Sequence, residues 1–323
     1  MNILVTGGAG FIGRHLVKRL ERNHTVVNLD KLTYAGDIQA FAYQQHPVKA
    51  DICDAKSVRF ILHQYQIEAV VHAAAESHVD RSIAGPLAFT ETNVTGTHIL
   101  LEEARKAGIT RFVQVSTDEV YGSLGPSGTF NEQSPVQPSS PYSASKAASD
   151  MLALAYENTY GMNVMVTRCS NNYGPYQFPE KLIPRMISCA LYNQSLPVYG
   201  DGLNIRDWLH VNDHCRAIEL VLINGISGNV YNIGGSSEMT NLEIVSAILR
   251  ELDKPESLIS FVPDRLGHDR RYAVDASKIK RELGWQPSHT ISSGLKETIT
   301  WYKNNRSWWE PKRQDRLRKV GTA

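Results

Sequence analysis

Residues 1–30 constrain this chain more than any other stretch. A short apolar run, Asn2-Ile3-Leu4-Val5, leads into Gly7-x-x-Gly10-x-x-Gly13. Apolar residues then recur at helical spacing (Ile12, Leu16, Val17, Leu20), and a second apolar run, Thr25 to Leu29, closes on Asp30. Strand, glycine turn, helix and strand in that order open a dinucleotide-binding fold. Gly7 supplies the tight turn, Gly10 lets backbone approach a pyrophosphate, and Gly13 lets the helix pack on the sheet, its N-terminus facing the anion. Asp30 falls about 17 residues past Gly13, where a carboxylate accepts hydrogen bonds from an adenosine ribose and repels a 2′-phosphate. NAD is therefore expected rather than NADP. Taken singly, the triplet could be a plain glycine turn and Asp30 a turn-forming residue.

The alternation continues. Glu68 to Ala74, Arg111 to Ser116 and Met162 to Thr167 read as further buried strands, a loop rich in Gly, Ser and Pro runs from Gly122 to Pro141, and helix resumes at Tyr142. The expected fold is α/β, a Rossmann doubly wound parallel sheet. Beyond Arg168 the texture changes to Asn171-Asn172-Tyr173-Gly174-Pro175-Tyr176, and a smaller C-terminal substrate-binding lobe is expected to begin there. The division drawn from the sequence is 1–168, with a returning segment at about 204–228, for the cofactor domain, and 169–203 with 229–323 for the lobe. Thr240 and Glu243 form a capping box opening a helix through Leu252, and Ile291 to Tyr302 has the spacing of a late amphipathic helix.

Hydrophobic residues make up 42% and charged residues 21% of the 323, the balance of an ordinary globular chain. A net charge of +1 argues against nucleic acid as a partner. No apolar run approaches the roughly 20 residues that span a bilayer, and no leader precedes the glycine motif. Cys53, Cys169, Cys189 and Cys215 are widely spaced, which suits reduced thiols in a cytosol rather than disulfides or a metal centre. A cytoplasmic protein without a metal is expected. The basic tail, Lys312 to Lys319, reads as a solvated end with an anion site as the alternative, and Trp308-Trp309 as packing that holds the tail down.

Two constellations carry chemistry. Tyr142 and Lys146 lie four apart at the start of a helix and share a face, so the ammonium is expected to lower the phenol pKa, aided by a cationic nicotinamide. A phenolate of that kind is a usable base. Alone, the pair could also be a surface Tyr and Lys. Ser116-Thr117-Asp118-Glu119-Val120-Tyr121-Gly122 follows an apolar strand, where α/β sheets place ligand chemistry. Carboxylates sharing a pocket push their pKa values apart, leaving one as acid and one as base, a division suited to β-elimination. Neighbours on a regular strand point to opposite faces, so both reach one ligand only if the chain turns there. The alternative is a solvated acidic turn.

With these motifs stand Thr6 to Gly13, Ala74 to Ser82, Thr167 to Tyr176, Glu180 to Pro184, Ile205-Arg206-Asp207-Trp208 and Gly267 to Tyr272. Together they resemble the extended short-chain dehydrogenase/reductase family, in its NAD-dependent epimerase/dehydratase group and the dehydratases that act on dTDP-glucose. The resemblance implies that Thr117 orients the sugar, Asp118 gives a proton to the departing C6 hydroxyl, Glu119 removes the C5 proton, and Tyr142 with Lys146 handles the C4 hydroxyl. It implies NAD contacts at Gly7, Gly10, Phe11, Ile12, Gly13, Asp30, Lys31, Leu32, Thr33, Asp51, Ile52, Ala73, Ala74, Ala75, Ser77, Thr92, Tyr142, Lys146 and Asn172. Substrate contacts carry over to Ser77, Thr117, Asn171, Lys181, Leu182, Pro197, Tyr199, Arg206, Asn241, Asp269, Arg270, Arg271 and Tyr272. Arg206, Arg270, Arg271 and Lys181 suit a diphosphate, since guanidinium forks pair with phosphate oxygens and lysine acts as a point charge. The implied NAD is tightly held and regenerated in each turnover. A homodimer is also implied, through a four-helix bundle of the segments Pro86 to Ala107 and Tyr142 to Tyr160.

Overall fold

The computed structural model describes residues 1–320, with side chains through Gln314. Seven short strands build one sheet. They are β1 (Asn2–Thr6), β2 (Thr25–Asp30), β3 (His46–Lys49), β4 (Ala69–His72), β5 (Arg111–Thr117), β6 (Val164–Cys169) and, after three strands placed elsewhere, β10 (Val230–Ile233). The three are β7 (Asn171–Tyr173), β8 (Leu196–Tyr199) and β9 (Ile205–His210); β11 (Glu238–Thr240) and β12 (Ile259–Val262) follow. The large sheet has the order β10-β6-β5-β4-β1-β2-β3, and every pairing in it is parallel. Parallel strands need crossovers and are covered on both faces, which is why β1, β4 and β6 read as continuous apolar runs.

One face packs Leu16, Val17 and Leu20 of the helix Phe11–Leu20 and Ile218, Val221 and Leu222 of the helix Val211–Asn224 against Ile3, Val5, Val71 and Val113. The other packs the helices Ala55–Gln64, Thr97–Lys106 and Pro141–Tyr160 against Leu4, Val27, Val70 and Phe112. The strand order reverses between β1 and β4. A crevice opens there beyond the carboxyl ends of the strands, where α/β sheets bind ligands.

A second core gathers Ile183, Met186, Ile244, Ile248, Leu295, Ile299 and Trp309, with a three-stranded sheet β11-β9-β7 and a pair β12-β8 beside it. The chain first enters the core of this smaller lobe at Tyr173. Its later boundary needs correction. The sequence ended the returning segment at 228, whereas Val230 to Ile233 is the edge strand of the large sheet, paired with Val166 to Cys169. Trp285, farther on, is also buried in the first core. The signal was weak because β10 is four residues long and carries a buried Asn232, whose side chain is occupied by Tyr121 and the Phe130 carbonyl.

The other expected elements form with small shifts at their ends. The Thr240 capping box opens the helix Asn241–Glu251, and the late amphipathic helix spans Ile291–Asn304. In the basic tail, Lys312 is no free end: its Nζ donates to the Trp308 carbonyl at 3.2 Å, and the Arg313 guanidinium lies 4.9 Å from the Tyr192 ring centroid. The side chains of 315–319 lie outside the described residues. Among the described residues no helix is long and apolar enough to cross a membrane.

Candidate active site

The glycine loop is built as its spacing implies. Gly7 sits at φ +76°, and a Cβ there would meet the Ala74 backbone at 2.7 Å; a Cβ on Gly13 would meet the Gly7 carbonyl at 2.1 Å. Gly10 differs, because a Cβ there would meet only that same carbonyl, at 3.3 Å. It faces open space at the N-cap of the helix Phe11–Leu20, which has no side-chain cap and no acidic residue in its first turn. Uncapped N–H groups at a helix start are an anion site. The Asp30 oxygens accept from the Ala9 and Leu32 N–H groups at 2.9 and 2.7 Å, which requires Leu32 to adopt φ +58°.

The loop after β4 is held by a buried neutral histidine. Thr6 Oγ1 accepts from the Ala74 N–H and lies 2.7 Å from His72 Nδ1, while His72 Nε2 lies 2.9 Å from Thr97 Oγ1. Burial pushes His72 down to about 3, so it stays uncharged. Asn93 extends the chain of bonds: it accepts from the Glu76 N–H, donates to the Glu76 carbonyl, and donates to Ser145 Oγ at 2.8 Å. The segment Ala73 to Ser77 is thereby tied to the helix that carries Tyr142 and Lys146.

The Ser140 and Ser143 capping box opens that helix with Pro141 at its first position. Tyr142 and Lys146 are both buried, and Lys146 Nζ donates to the Val115 carbonyl at 2.8 Å. Burial first and the charge of Glu119 second push Tyr142 well above its ordinary value, although a hydrogen bond to Thr117 favours ionisation. Burial also lowers the pKa of Lys146, whose neighbour Asp150 works the other way.

β5 ends at Thr117, and a 3-10 turn, Asp118–Tyr121, starts at once, with Thr117 Oγ1 accepting from the Glu119 N–H. This is the turn that two adjacent carboxylates need to face one ligand. Their surroundings differ. Asp118 is raised well above the usual carboxylate range by burial, then by the charges of Glu119 and Asp207, and its Oδ2 has no partner. Burial raises Glu119 too, but Lys181, Arg206 and Arg265 pull it back.

A cleft of about 320 Å³ runs along the crevice. Of the nineteen positions expected at NAD, all but Leu32 line it, and so do Ser77, Thr117, Asp118, Glu119, Asn171 and Lys181. A smaller cleft adjoins it at Glu119 and Asn171 and is walled by Arg206, Asp269 and Tyr272. The remaining substrate positions, Leu182, Pro197, Tyr199, Asn241, Arg270 and Arg271, line neither. Both arginines are engaged elsewhere. Arg271 makes a bidentate pair with Glu238 and bonds to the Gly125 and Gly128 carbonyls, and exposed Arg270 pairs with Asp201. Arg265 stands in the smaller cleft instead, ion-paired with Asp80 at 2.6 Å. Sequence reasoning also missed Tyr34 and Gln177 in the larger cleft, where no motif marks them. Glu180, which accepts from the Tyr34 hydroxyl at 2.7 Å across the two lobes, stood only as the first residue of a quoted motif.

Among the described residues one cluster has metal-ligand spacing, His210, His289 and Glu297, outside both clefts. His210 Nδ1 accepts from the Asn212 N–H, which leaves Nε2 as the protonated nitrogen and a donor rather than a ligand.

The family model for GDP-mannose 4,6 dehydratase matches residues 4–298. A dTDP-glucose 4,6-dehydratase of Xanthomonas campestris pv. campestris is 53% identical over 94% of this chain and 94% of its own length. The chain belongs to the dTDP-glucose 4,6-dehydratase family. A solved member from Streptomyces venezuelae, with NAD bound, is 51% identical with a TM-score of 0.93, covering 97% of this chain and 100% of that one. The architecture reaches beyond dehydratases, since a UDP-glucose 4-epimerase of Thermotoga maritima superposes with a TM-score of 0.90 at 30% identity, covering 94% of this chain and 99% of that one. Fold alone therefore does not separate the two chemistries.

Proposed function

We propose that this chain is an NAD-dependent hydro-lyase that converts dTDP-glucose to dTDP-4-keto-6-deoxyglucose and water. The observation that carries the reading is the unequal setting of Asp118 and Glu119 in one cleft beside Tyr142. The cofactor site fits NAD: an uncapped helix start behind Gly10, and Asp30 placed for a ribose and against a 2′-phosphate. NAD held there would supply a reversible hydride acceptor for oxidation at C4 and reduction at C6, and a positive charge.

Tyr142 takes the O4 proton; its pKa must fall from the raised value of the buried phenol, and Lys146 supplies charge from one turn away. Oxidation at C4 makes the C5 hydrogen acidic, because the carbanion left behind is an enolate. Glu119, with Lys181, Arg206 and Arg265 favouring its ionised form, is the base for that proton and returns it to C5 once C6 has been reduced. Asp118, which holds its proton, gives it to O6 as water leaves. Thr117, bonded to the phenol, orients the sugar. Arg206 and Lys181, joined by Arg265, supply cations for the diphosphate. A 4-epimerase needs the tyrosine and lysine but no acid and base pair.

The reading places the reaction in the cytoplasm, in line with four free cysteines, and extends to a homodimer. It is tested by incubating the purified protein with dTDP-glucose and no added cofactor, then following the sugar nucleotide by mass spectrometry. Loss of one water is expected. An unchanged mass, with added NAD also without effect, rejects the dehydratase reading.

A further inference from the structure

A cofactor that is regenerated in every turnover gains nothing by leaving, so whatever keeps its cleft closed serves the catalyst. The adenosine side of the larger cleft is lined by Thr33, Tyr34, Ala35 and Gly36. This connection has no secondary structure of its own and leads from β2 into the helix Ile38–Ala42. Such a loop opens at low cost unless something outside it holds it.

Glu180 holds it through the Tyr34 hydroxyl, and at its far end so does Asp37. Its backbone N–H donates to the Ala9 carbonyl in the glycine loop at 2.9 Å, and its Oδ1 caps the short helix by accepting from the Gln39 and Ala40 N–H groups. Its Oδ2 accepts from two distant donors: Arg14 Nη1 at 2.9 Å, on the helix after the glycine loop, and Trp308 Nε1 at 2.5 Å, on the C-terminal helix. The Arg14 guanidinium lies 3.4 Å from the ring centroid of Tyr176, which lines the cleft from the smaller lobe. That ring packs on Trp301 at 4.3 Å and Trp308 at 5.3 Å. The next residue, Trp309, is fully buried in the second core, with Nε1 donating to the Tyr302 carbonyl. The C-terminal helix is thus fixed before it reaches Asp37.

We propose that Trp308, with Arg14 and Asp37, forms a clasp that sets how long NAD stays bound. Trp308 is a positioning residue: it lines neither cleft and acts through Asp37. The clasp joins the glycine-loop helix, the adenosine loop and the Tyr176 segment, three walls that must part for the cofactor to leave. On this proposal the sugar nucleotide enters by the smaller cleft, whose walls at Arg206, Arg265 and Tyr272 are separate from the clasp. Substrate and product therefore exchange with the clasp closed.

The inference rests on the NAD reading above, so bound NAD is first measured in the purified parent. Parent and Trp308→Phe holoenzymes are then chased with excess labelled NAD, and turnover of dTDP-glucose is measured at saturating NAD. The variant keeps the ring and loses the donor to a buried carboxylate, so exchange roughly tenfold faster is expected. Turnover at saturating NAD should stay within about twofold of the parent. Equal exchange rates overturn the clasp, and so does turnover that saturating NAD fails to restore. If Trp308→Phe does not fold, Asp37→Asn is put through the same two measurements with the same criteria. A parent that neither carries nor takes up NAD rejects the cofactor reading and the clasp with it, a result distinct from a loaded parent that exchanges as fast as the variant.

Discussion

Asp118 holds its proton because burial and the charges of Glu119 and Asp207 all oppose its ionisation, with Arg206 the main opposing influence. An acid whose folded pKa lies above its unfolded value binds more protons in the native state, so its contribution to stability falls as pH rises past the unfolded value. Asp118→Asn removes that cost. The variant should melt at a higher temperature than the parent at neutral pH, and the gap should close as pH falls toward 3.8, the ordinary value, in thermal unfolding across a pH series. The same change should leave C4 oxidation intact and stall water loss, lowering dehydration by about 10²–10⁴-fold while reduced nicotinamide accumulates in the first turnover. Dehydration at the parent rate would remove Asp118 from the acid role. At this scale the pair was legible in Thr117-Asp118-Glu119, because adjacent carboxylates after a strand have few structural uses. The pairing of Arg271 with Glu238 was not legible, because Glu238 lies 33 residues away and a cation in sequence does not show whether a carboxylate has already taken it.

Glycines of one motif do separable work within a single element. A Cβ at Gly13 would sit 2.1 Å from a backbone carbonyl that cannot move without the turn, whereas one at Gly10 has 3.3 Å and faces the cleft. Gly13→Ala should therefore destabilise the cofactor-free chain by about 1–3 kcal/mol, the usual range for overpacking, read from denaturant midpoints. Gly10→Ala should fold with a midpoint near the parent's and lose affinity for NAD, because the methyl stands where a pyrophosphate approaches. Equal loss of stability in both would mean that the loop has no element reserved for the ligand. The elements legible in the sequence were those with an apolar run, helical spacing or a cap: β1, β2, β4, β5, β6, the helix opened by Thr240 and the late helix Ile291–Asn304. The edge strand β3 escaped because His46-Pro47-Val48-Lys49 is largely exposed, and an edge position neither requires apolar residues nor excludes proline.

The cleft depends on both lobes, since β5 and the helix Pro141–Tyr160 bring Thr117, Asp118, Glu119, Tyr142 and Lys146, while Asn171, Lys181 and Arg206 come from the chain after Arg168. The helix that carries Tyr142 and Lys146 has one face on the sheet and another bonded to the segment before it, through Asn93 to Ser145 and Glu102 to Tyr156. In these two segments Leu87 is 82% exposed, Tyr160 55% and Met151 46%. In the proposed homodimer, covering them with a second copy of the same two helices would bury them and stiffen the support under the phenol. Sedimentation velocity should give a dimer for the parent, and Leu87→Glu should shift it toward monomer by placing a charge in the interface. If the bundle supports Tyr142, the specific activity of that variant should fall on dilution while the parent's holds. A monomeric parent with full activity would leave Leu87, Met151 and Tyr160 unexplained and would confine the support of the catalytic helix to the bonds within one chain.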